Sequence, residues 1–275
     1  MTLLHRHGAP PPHILYDHVK IDGTGTTTYA SPADYERAVR GEVQRIMHSR
    51  TGLALLHELQ LRSTHILKIV PYEVKDDINA YAVPVDQQHA TLNRHLERSD
   101  RDGHAIADAH GNPIYGLGGG SDSTVLFTPG TFVKYCSEHN AGHKSGAQPD
   151  EVLFHEMVHA TRQMRGIYDA APLGFLYDTE EEFYAILLAN IYASETGRPV
   201  DLRSDHFGFE HLAEDTNVKF LPRKDMRDYR YRLIYKFVHQ EPKLAQELNK
   251  LKKIPFNPIR RFYDLQRTRG HAAHH

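Results

Sequence analysis

The sequence His-Glu-Met-Val-His, residues 155–159, sets the interpretation of the whole chain. Residues four positions apart lie on the same face of a helix, so His155 and His159 would point their imidazoles at a common place. Two neutral imidazoles are two of the three protein ligands that a catalytic zinc ion uses, and they leave one position for water. Glu156, one step around the helix, would reach that water and accept its proton. The motif therefore predicts one zinc ion beside a general base.

The residues around the motif favour a helix at the centre of the molecule. Pro149 suits the first helical position, and Asp150 and Glu151 put negative charge at the positive end of the helix dipole. The positions near the motif are apolar almost all round, as in a buried helix: Val152, Leu153, Phe154, Met157 and Val158. This setting matters because the chain contains 21 histidines. The number of such motifs expected by chance in so histidine-rich a chain is about 0.1.

Composition limits the class of protein. The 275 residues suffice for one large domain, and 40% hydrophobic with 25% charged residues is typical of a globular chain. No apolar run approaches the roughly 20 residues that cross a bilayer. A single cysteine excludes an internal disulfide framework and indicates a reducing compartment. The formal net charge of −2 argues against nucleic acid as the main partner.

The chain divides at about residue 30. Residues 1–30 contain Pro10 to Pro12, Gly23, Gly25 and a threonine run, and they predict a flexible leader, a candidate secretion signal, or an edge hairpin. Residues 31–275 form a single catalytic domain in this interpretation. Helices are expected at 31–50, 51–61, 149–165 and 178–196, with a long amphipathic region at 225–251; strands are expected at 65–72, near 80–85 and at 124–127. The pattern predicts an α+β fold with a small sheet in the first half and a mainly helical second half. The strand at 124–127 is a candidate edge for an extended substrate.

The third zinc ligand is expected from the helix that follows the motif. Three consecutive glutamates, residues 180–182, open that helix. The stripe that continues from Glu182 carries Ala185, Ala189 and Ala193, whose small side chains allow the close approach that a metal–oxygen bond of ~2 Å requires. Glu181 begins a bulkier stripe. Two capping boxes are possible, Thr179 with Glu182 and Asp178 with Glu181, and Glu181 takes the capping role if Asp178 is the N-cap. Glu182 is therefore the predicted ligand, and Glu181 is the alternative.

Two further roles have several candidates. Tyr177, just before this helix, is the first choice for the donor that stabilises the oxyanion. The other donor candidates are Tyr168, Tyr184, Tyr192, Arg203 and His206. A carboxylate or amide should also hold the second nitrogen of a ligand histidine, and the candidates are Asp169, Asp178 and Asn190.

The combination of motifs resembles the NleD-like (XopG-like) family of bacterial zinc metalloproteases, which type III secretion delivers into host cells. The resemblance rests on Gly-Gly-Gly-Ser-Asp at 118–122 leading into Val-Leu-Phe-Thr-Pro, on HEMVHA at 155–160, and on Glu-Glu-Phe-Tyr-Ala at 181–185 with the Asn-Ile-Tyr segment after it. It implies a minimal, gluzincin-like zincin fold with one zinc ion and proteolysis of a host protein, of the stress-activated MAP kinase class. Four residues after Glu182, where many related proteases carry a carboxylate that orients a ligand histidine, this chain has Ile186.

The sequence thus predicts a zinc endopeptidase in which His155, His159 and Glu182 hold the metal and Glu156 is the base. Two alternatives remain open. One is a zinc peptidase that acts as a toxin or a processing protease on another protein. The other is a non-enzymatic zinc-binding protein, whose structural site would need a fourth protein ligand.

Overall fold

The computed structural model describes residues 17–62, 64–74, 79–93, 106–107, 113–114, 116–138, 145–173, 177–198, 202–206 and 210–267. Within these ranges the strands are β1 Val19–Ile21, β2 Leu67–Val70, β3 Tyr81–Pro84, β4 Ile106–Ala107, β5 Pro113–Ile114 and β6 Ser123–Leu126. The helices are α1 Pro32–Met47, α2 Arg50–Arg62, α3 Gln87–Ala90, α4 Pro129–Glu138, α5 Pro149–Met164, α6 Glu180–Glu195, α7 Asn217–Phe220, α8 Tyr229–Gln240, α9 Pro242–Asn249 and α10 Pro258–Arg267. This order confirms the predicted α+β class, since every described strand lies before residue 127 and the second half is helical.

The main sheet has four strands in the order β1-β2-β6-β3. The first three strands are parallel, and β3 runs antiparallel to β6. The prediction that residues 124–127 form a free edge was wrong, because β6 pairs with β2 on one side and with β3 on the other. The edge strand next to β6 is β3, and its residues Tyr81 and Val83 are about 40% exposed.

Helix α5 is the centre of the fold. All 16 of its residues are buried, as its apolar sequence predicts. It packs against α6, α1 and α2 and against strands β3 and β6 of the sheet. Its first turn is held by Pro149 at the first helical position and by a reciprocal pair of contacts between Gln148 and Glu151.

The loop at 118–120 packs on the carboxyl end of α5, and this explains Gly120. Gly120 has a φ of +82°, and a Cβ atom there would lie 2.3 Å from the Met164 carbonyl oxygen. The backbone N–H of Ser121 then donates to the Gln163 carbonyl at 3.2 Å. The loop is therefore a close backbone contact that leads into β6, as well as a turn.

Helix α6 begins at Glu180, two residues after the expected start at 178. The N-cap is Thr179, whose hydroxyl accepts the Glu182 N–H at 3.2 Å, rather than Asp178. Two other boundaries also differ from expectation. The region 225–251 is two helices separated at Glu241, where Pro242 starts α9. Pro129 follows the end of β6 and begins α4, a helix that was not expected from the sequence, because proline is favoured in a first helical turn.

Part of the predicted leader belongs to the sheet. β1 pairs with β2, and the hydroxyls of Thr26, Thr27 and Thr28 donate to the Glu73 carboxylate. Residues 1–16 lie outside the described ranges, and the boundary at residue 30 remains a prediction. A search of the described helices found none with the length and hydropathy needed to span a membrane.

Candidate metal centre

One face of α5 carries the two histidines of the motif and an arginine. His155, His159 and Arg162 are spaced at i, i+4 and i+7, so they lie along one stripe that faces α6. The Nε2 atoms of His155 and His159 are 3.0 Å apart. Both imidazoles are about 95% buried. The motif therefore forms the converging pair that its spacing predicted.

Glu182 faces this pair from the first turn of α6. Its Oε2 lies 3.2 Å from His155 Nε2, and its Oε1 lies 3.3 Å from His159 Nε2. Zinc bonds of about 2.0–2.1 Å in a tetrahedron separate neighbouring ligand atoms by about 3.3 Å. The spacing of these three donors thus fits one zinc ion, and two neutral imidazoles with one carboxylate are a usual catalytic zinc set.

Glu181 points to a different partner, because consecutive residues of a helix are about 100° apart around its axis. Its fully buried carboxylate receives the Nε–H of Arg162 at 2.8 Å and the Asp169 N–H at 3.2 Å. It also accepts from Nδ1 of His159 at 3.4 Å. This contact fixes which nitrogen of His159 faces the metal position. Glu181 therefore orients a ligand and does not cap its helix.

Arg162 joins this contact to the rest of the molecule. Its guanidinium also donates to Glu241 at 2.6 Å, and Arg165 donates to the second oxygen of the same carboxylate at 2.6 Å. Burial disfavours a charged guanidinium, but the charges of Glu181 and Glu241 outweigh this effect and keep the pKa of Arg162 above its ordinary value. The orienting carboxylate is thus neutralised by a buried cation.

Glu156 lies on the neighbouring face of α5, beside the edge strand. Burial raises the pKa of its carboxyl to about 8, and the charge of Glu182 raises it further against the opposing effect of His159. The backbone N–H of Ala82 in β3 also bonds to this carboxylate. A carboxylate with a raised pKa is suited to proton transfer near neutral pH.

The two ligand histidines differ in protonation. Burial lowers the pKa of His155 to about 3. Burial also acts to lower the pKa of His159, but the charge of Glu182 and the bonds to Glu181 and Glu182 raise it well above the usual range. Without a metal the site therefore holds its proton on His159. A metal ion must displace that proton in order to bind.

His206 is a further group at the site. Its Nε2 lies 3.4 Å from Glu182 Oε2, and its Nδ1 lies 2.8 Å from Asp178. His155, Glu182 and His206 together offer ligand atoms within 4.8 Å of one another. The imidazole is one third exposed, whereas those of His155 and His159 are buried. His206 therefore lies on the solvent side of the metal position.

The loop that carries Arg203 and His206 is held by hydrogen bonds to α6. The side chain of Asn190 on α6 exchanges two hydrogen bonds with the backbone of Arg203, at 2.7 and 2.8 Å. The Arg203 guanidinium then donates to the carbonyl oxygens of Asp205 and His206. His206 is one of the six donor candidates from the sequence, but nothing in its local sequence distinguishes it from the other five.

Tyr177 is buried, and its ring packs edge-on against Phe183 at 5.1 Å. Burial, followed by the neighbouring Tyr229, raises its pKa. Its role as the oxyanion donor remains a prediction. The other tyrosines considered have these neighbours: Tyr168 meets the His159 ring edge-on, Tyr184 lies under the Arg162 guanidinium, and Tyr192 donates to Asp150.

The expected acceptors for the ligand histidines serve other groups. Asp178 bonds to His206, Asn190 bonds to Arg203, and Asp169 pairs with Lys236 at 2.8 Å. The acceptor that does meet a ligand histidine is Glu181, on His159. The sequence signal for it was weak, since a glutamate in a first helical turn is common for capping and dipole reasons alone.

Comparison with known proteins gives one match. The model of the family Peptidase M91, described as effector protein, matches residues 23–198, which is more than half of the chain. The matched segment contains the strands β2 to β6. It also contains the helices α5 and α6, which carry the candidate metal ligands. Neither the curated proteins nor the solved structures contain a match to the chain.

The two adjacent glutamates should respond differently to substitution. Glu182→Gln should abolish high-affinity zinc binding, because it removes a ligand charge. Glu181→Gln should weaken zinc binding by roughly 10- to 100-fold, because it removes the acceptor that orients His159. Chelator competition measures both affinities. Glu180→Gln, which alters a partner of Lys236 in the same helical turn, is the matched control and should bind zinc like the wild type. Equal losses at 181 and 182 would contradict this division of roles.

Proposed function

The chain belongs to the Peptidase M91 family of effector proteins, and from this premise we propose that it is a zinc-dependent endopeptidase that acts on a protein of a host cell. The observation that carries the proposal is the convergence of His155, His159 and Glu182 at the spacing of a zinc site. A buried carboxylate on the next face of the same helix, Glu156, supports hydrolysis over simple metal storage.

The reaction divides between the metal and the chain. Zinc, when bound by His155, His159 and Glu182, lowers the pKa of water and polarises a carbonyl group. Glu156 would accept the proton of the attacking water and hold it next to the peptide nitrogen. It then delivers the proton to the leaving amine. Burial of this carboxylate among α5 and β3 excludes bulk water, which would otherwise compete for the proton.

Strand β3 supports the binding of an extended peptide. It is the edge of the four-stranded sheet next to Glu156, and an extended substrate can add to such an edge through main-chain hydrogen bonds. The contact between the Ala82 N–H and Glu156 brings this edge within hydrogen-bond distance of the base. We therefore propose β3, and not β6, as the strand beside which the substrate lies.

A donor for the oxyanion completes the proposed mechanism. Tyr177 is the candidate from the sequence. His206 is a second candidate, favoured by its position 3.4 Å from a metal ligand and by its bond to Asp178. Its exposed edge is on the side from which a substrate would approach.

The finer identity of the substrate follows from the resemblance described above. Membership of the NleD-like branch would make the target a stress-activated MAP kinase, and delivery would proceed by type III secretion from the bacterial cytoplasm. The family description as effector protein supports action inside a host cell. A toxin or processing protease with another protein substrate uses the same centre, so the substrate experiment below separates the two.

A non-enzymatic zinc protein is the competing class, and His206 is the observation that favours it. With His206 as a fourth protein ligand the coordination sphere would be closed, as in structural zinc sites. Structural sites, however, give no role to Glu156, which is a buried carboxylate with a raised pKa.

Mutations should distinguish the role of the proposed base, Glu156, from that of the proposed metal ligands. Glu156→Ala should retain about one zinc ion per chain and lose activity by at least ~10²-fold, because general-base catalysis is removed while the donors stay. His159→Ala should lose the metal itself. Zinc content by atomic absorption and cleavage of an unfolded protein substrate measure the two properties. Full activity of the Glu156→Ala variant would exclude the mechanism. A wild-type protein that binds zinc tightly but has no peptidase activity would favour a structural zinc site.

The oxyanion donor should be identified by two variants assayed in parallel. Its loss lowers kcat by roughly 10²- to 10³-fold with little effect on KM, since the interaction forms in the transition state. We expect His206→Gln to produce this pattern because its imidazole contacts a metal ligand. Tyr177→Phe is compared directly, and a similar loss of kcat there, with activity retained in His206→Gln, would instead support the prediction from the sequence.

Cleavage of purified stress-activated MAP kinases tests the substrate class. The zinc-loaded protein should cut a folded kinase at one position, and mass spectrometry of the fragments locates the cut. The Glu156→Ala variant and a chelator-treated sample are the controls, and both should leave the kinase intact. Intact kinases together with cleavage of an unfolded protein would retain the protease and reject this substrate class.

A further inference from the structure

A small cavity lies directly behind His155, between α5, α6 and the loop that carries Arg203. Its volume is about 10 Å³, close to the roughly 10–15 Å³ that one water molecule requires. The side chains of Glu151 and His155 line it from α5, and those of Ala189 and Ala193 line it from α6. The two alanines belong to the stripe that continues from Glu182, and their small size leaves this space open.

His155 needs a hydrogen-bond acceptor on the side of this cavity. Its Nε2 faces the metal position, and its Nδ1 is buried without a hydrogen-bond partner among the described residues. A histidine that binds a metal normally donates its other N–H to a carboxylate, a carbonyl or water. His159 has such an acceptor in Glu181. An unpaired buried N–H at His155 would be destabilising, because the group loses its hydrogen bond to water on burial.

Glu151 offers a carboxylate across the cavity. It lies one turn before His155 on the same stripe of α5, and its side chain is 1% exposed. Gln148 donates its N–H to Oε2 at 3.3 Å, and Arg198 lies 3.2 Å from Oε1. The contact with the Gln148 backbone holds the carboxylate in the wall of the cavity, and Arg198 contributes a neighbouring positive charge. It is therefore an ordered negative charge close to the second nitrogen of a metal ligand.

We propose that this cavity binds one ordered water molecule, which accepts the Nδ1–H of His155 and donates to the Glu151 carboxylate. Glu151 then acts as a positioning residue: it orients His155 through water, as Glu181 orients His159 by direct contact. The inference rests on the proposed function, since it treats His155 as a zinc ligand. It also gives a reason for the alanines at 189 and 193, because larger side chains would displace the water.

Zinc affinity of three variants, measured by chelator competition, tests the role of Glu151. Glu151→Leu should bind zinc roughly 10- to 100-fold more weakly than the wild type, because it removes the acceptor. Glu151→Gln keeps an acceptor oxygen and the helix cap, and it should lose less. Arg198→Met is the matched control: it removes the cation that contacts Glu151 but leaves the carboxylate, so its affinity should remain within about threefold of the wild type.

Three outcomes would overturn the inference: unchanged affinity in Glu151→Leu, a greater loss in Glu151→Gln, or an equal loss in Arg198→Met. The last would assign the effect to the ion pair with Arg198.

A crystal structure of the zinc-loaded wild-type protein provides a test that does not depend on the folding of any variant. It should contain a water molecule within about 2.7–3.2 Å of both His155 Nδ1 and a Glu151 oxygen. A dry cavity, or a water that contacts only one of the two groups, would reject the proposal while leaving the zinc peptidase intact. A wild-type protein that binds no zinc would instead reject the proposed function itself.

Discussion

The buried ion pair between Arg162 and Glu181 is the constraint on which the metal centre depends. Both side chains are almost completely inaccessible to solvent, and the desolvation of two such ions costs several kcal/mol each. The cost is offset only if the pair keeps its geometry, and Glu241 and Arg165 complete a cluster of two cations and two anions. Removing one charged side chain from such a cluster leaves an unpaired buried charge, and this destabilises the fold by more than the intact cluster stabilises it. The cluster therefore specifies one arrangement of α5 against α6.

That arrangement determines which glutamate faces the two histidines. Residues 181 and 182 are separated by about 100° around α6, so the carboxylate of one cannot take the place of the other. With Glu181 held by Arg162, Glu182 must face His155 and His159. A shift of α6 by one residue would place Glu182 against Arg162 and Phe183 opposite the histidines, or Glu180 against Arg162 and Glu181 opposite the histidines. The orientation of His159 and the choice of the carboxylate that faces the two histidines thus follow from a single contact.

The sequence predicted those parts of the site that depend on spacing within one helix. The histidine pair, the base and the alanine-faced helix that offers Glu182 all follow from helical periodicity. The orienting carboxylate was missed because Glu181 also matches a local capping pattern, and local patterns carry no information about Arg162. The bond between Arg162 and Glu241 spans 79 residues, and no periodicity within one helix encodes it. The start of α4 was missed for a similar reason, since Pro129 is compatible with both a stop and a first helical turn.

The base and the substrate edge are also held by one helix. Val85 N–H bonds to the Asp122 carbonyl, and residues two apart in a strand direct their backbone groups to the same side. The backbone N–H and carbonyl groups of Tyr81 and Val83 therefore point toward β6. Those of Ala82 point away from β6. Side chains of α5 already hold both groups: Glu156 bonds to the N–H, and Gln163 donates to the carbonyl at 3.1 Å.

Gln163 is itself anchored, since its side-chain oxygen accepts from Ser123 of β6 at 2.6 Å. The distance between the edge strand and the base is thus set by contacts within α5, β3 and β6. A peptide that adds beside β3 would have to replace the bonds that Glu156 and Gln163 make to Ala82, and it would meet the same helix that carries Glu156 and the two histidines. Any motion that moves the edge strand relative to α5 must break the bond to Gln163 or to Glu156. In the proposed mechanism, the peptide backbone and the proton-transfer group Glu156 would therefore be positioned by the same helix, α5.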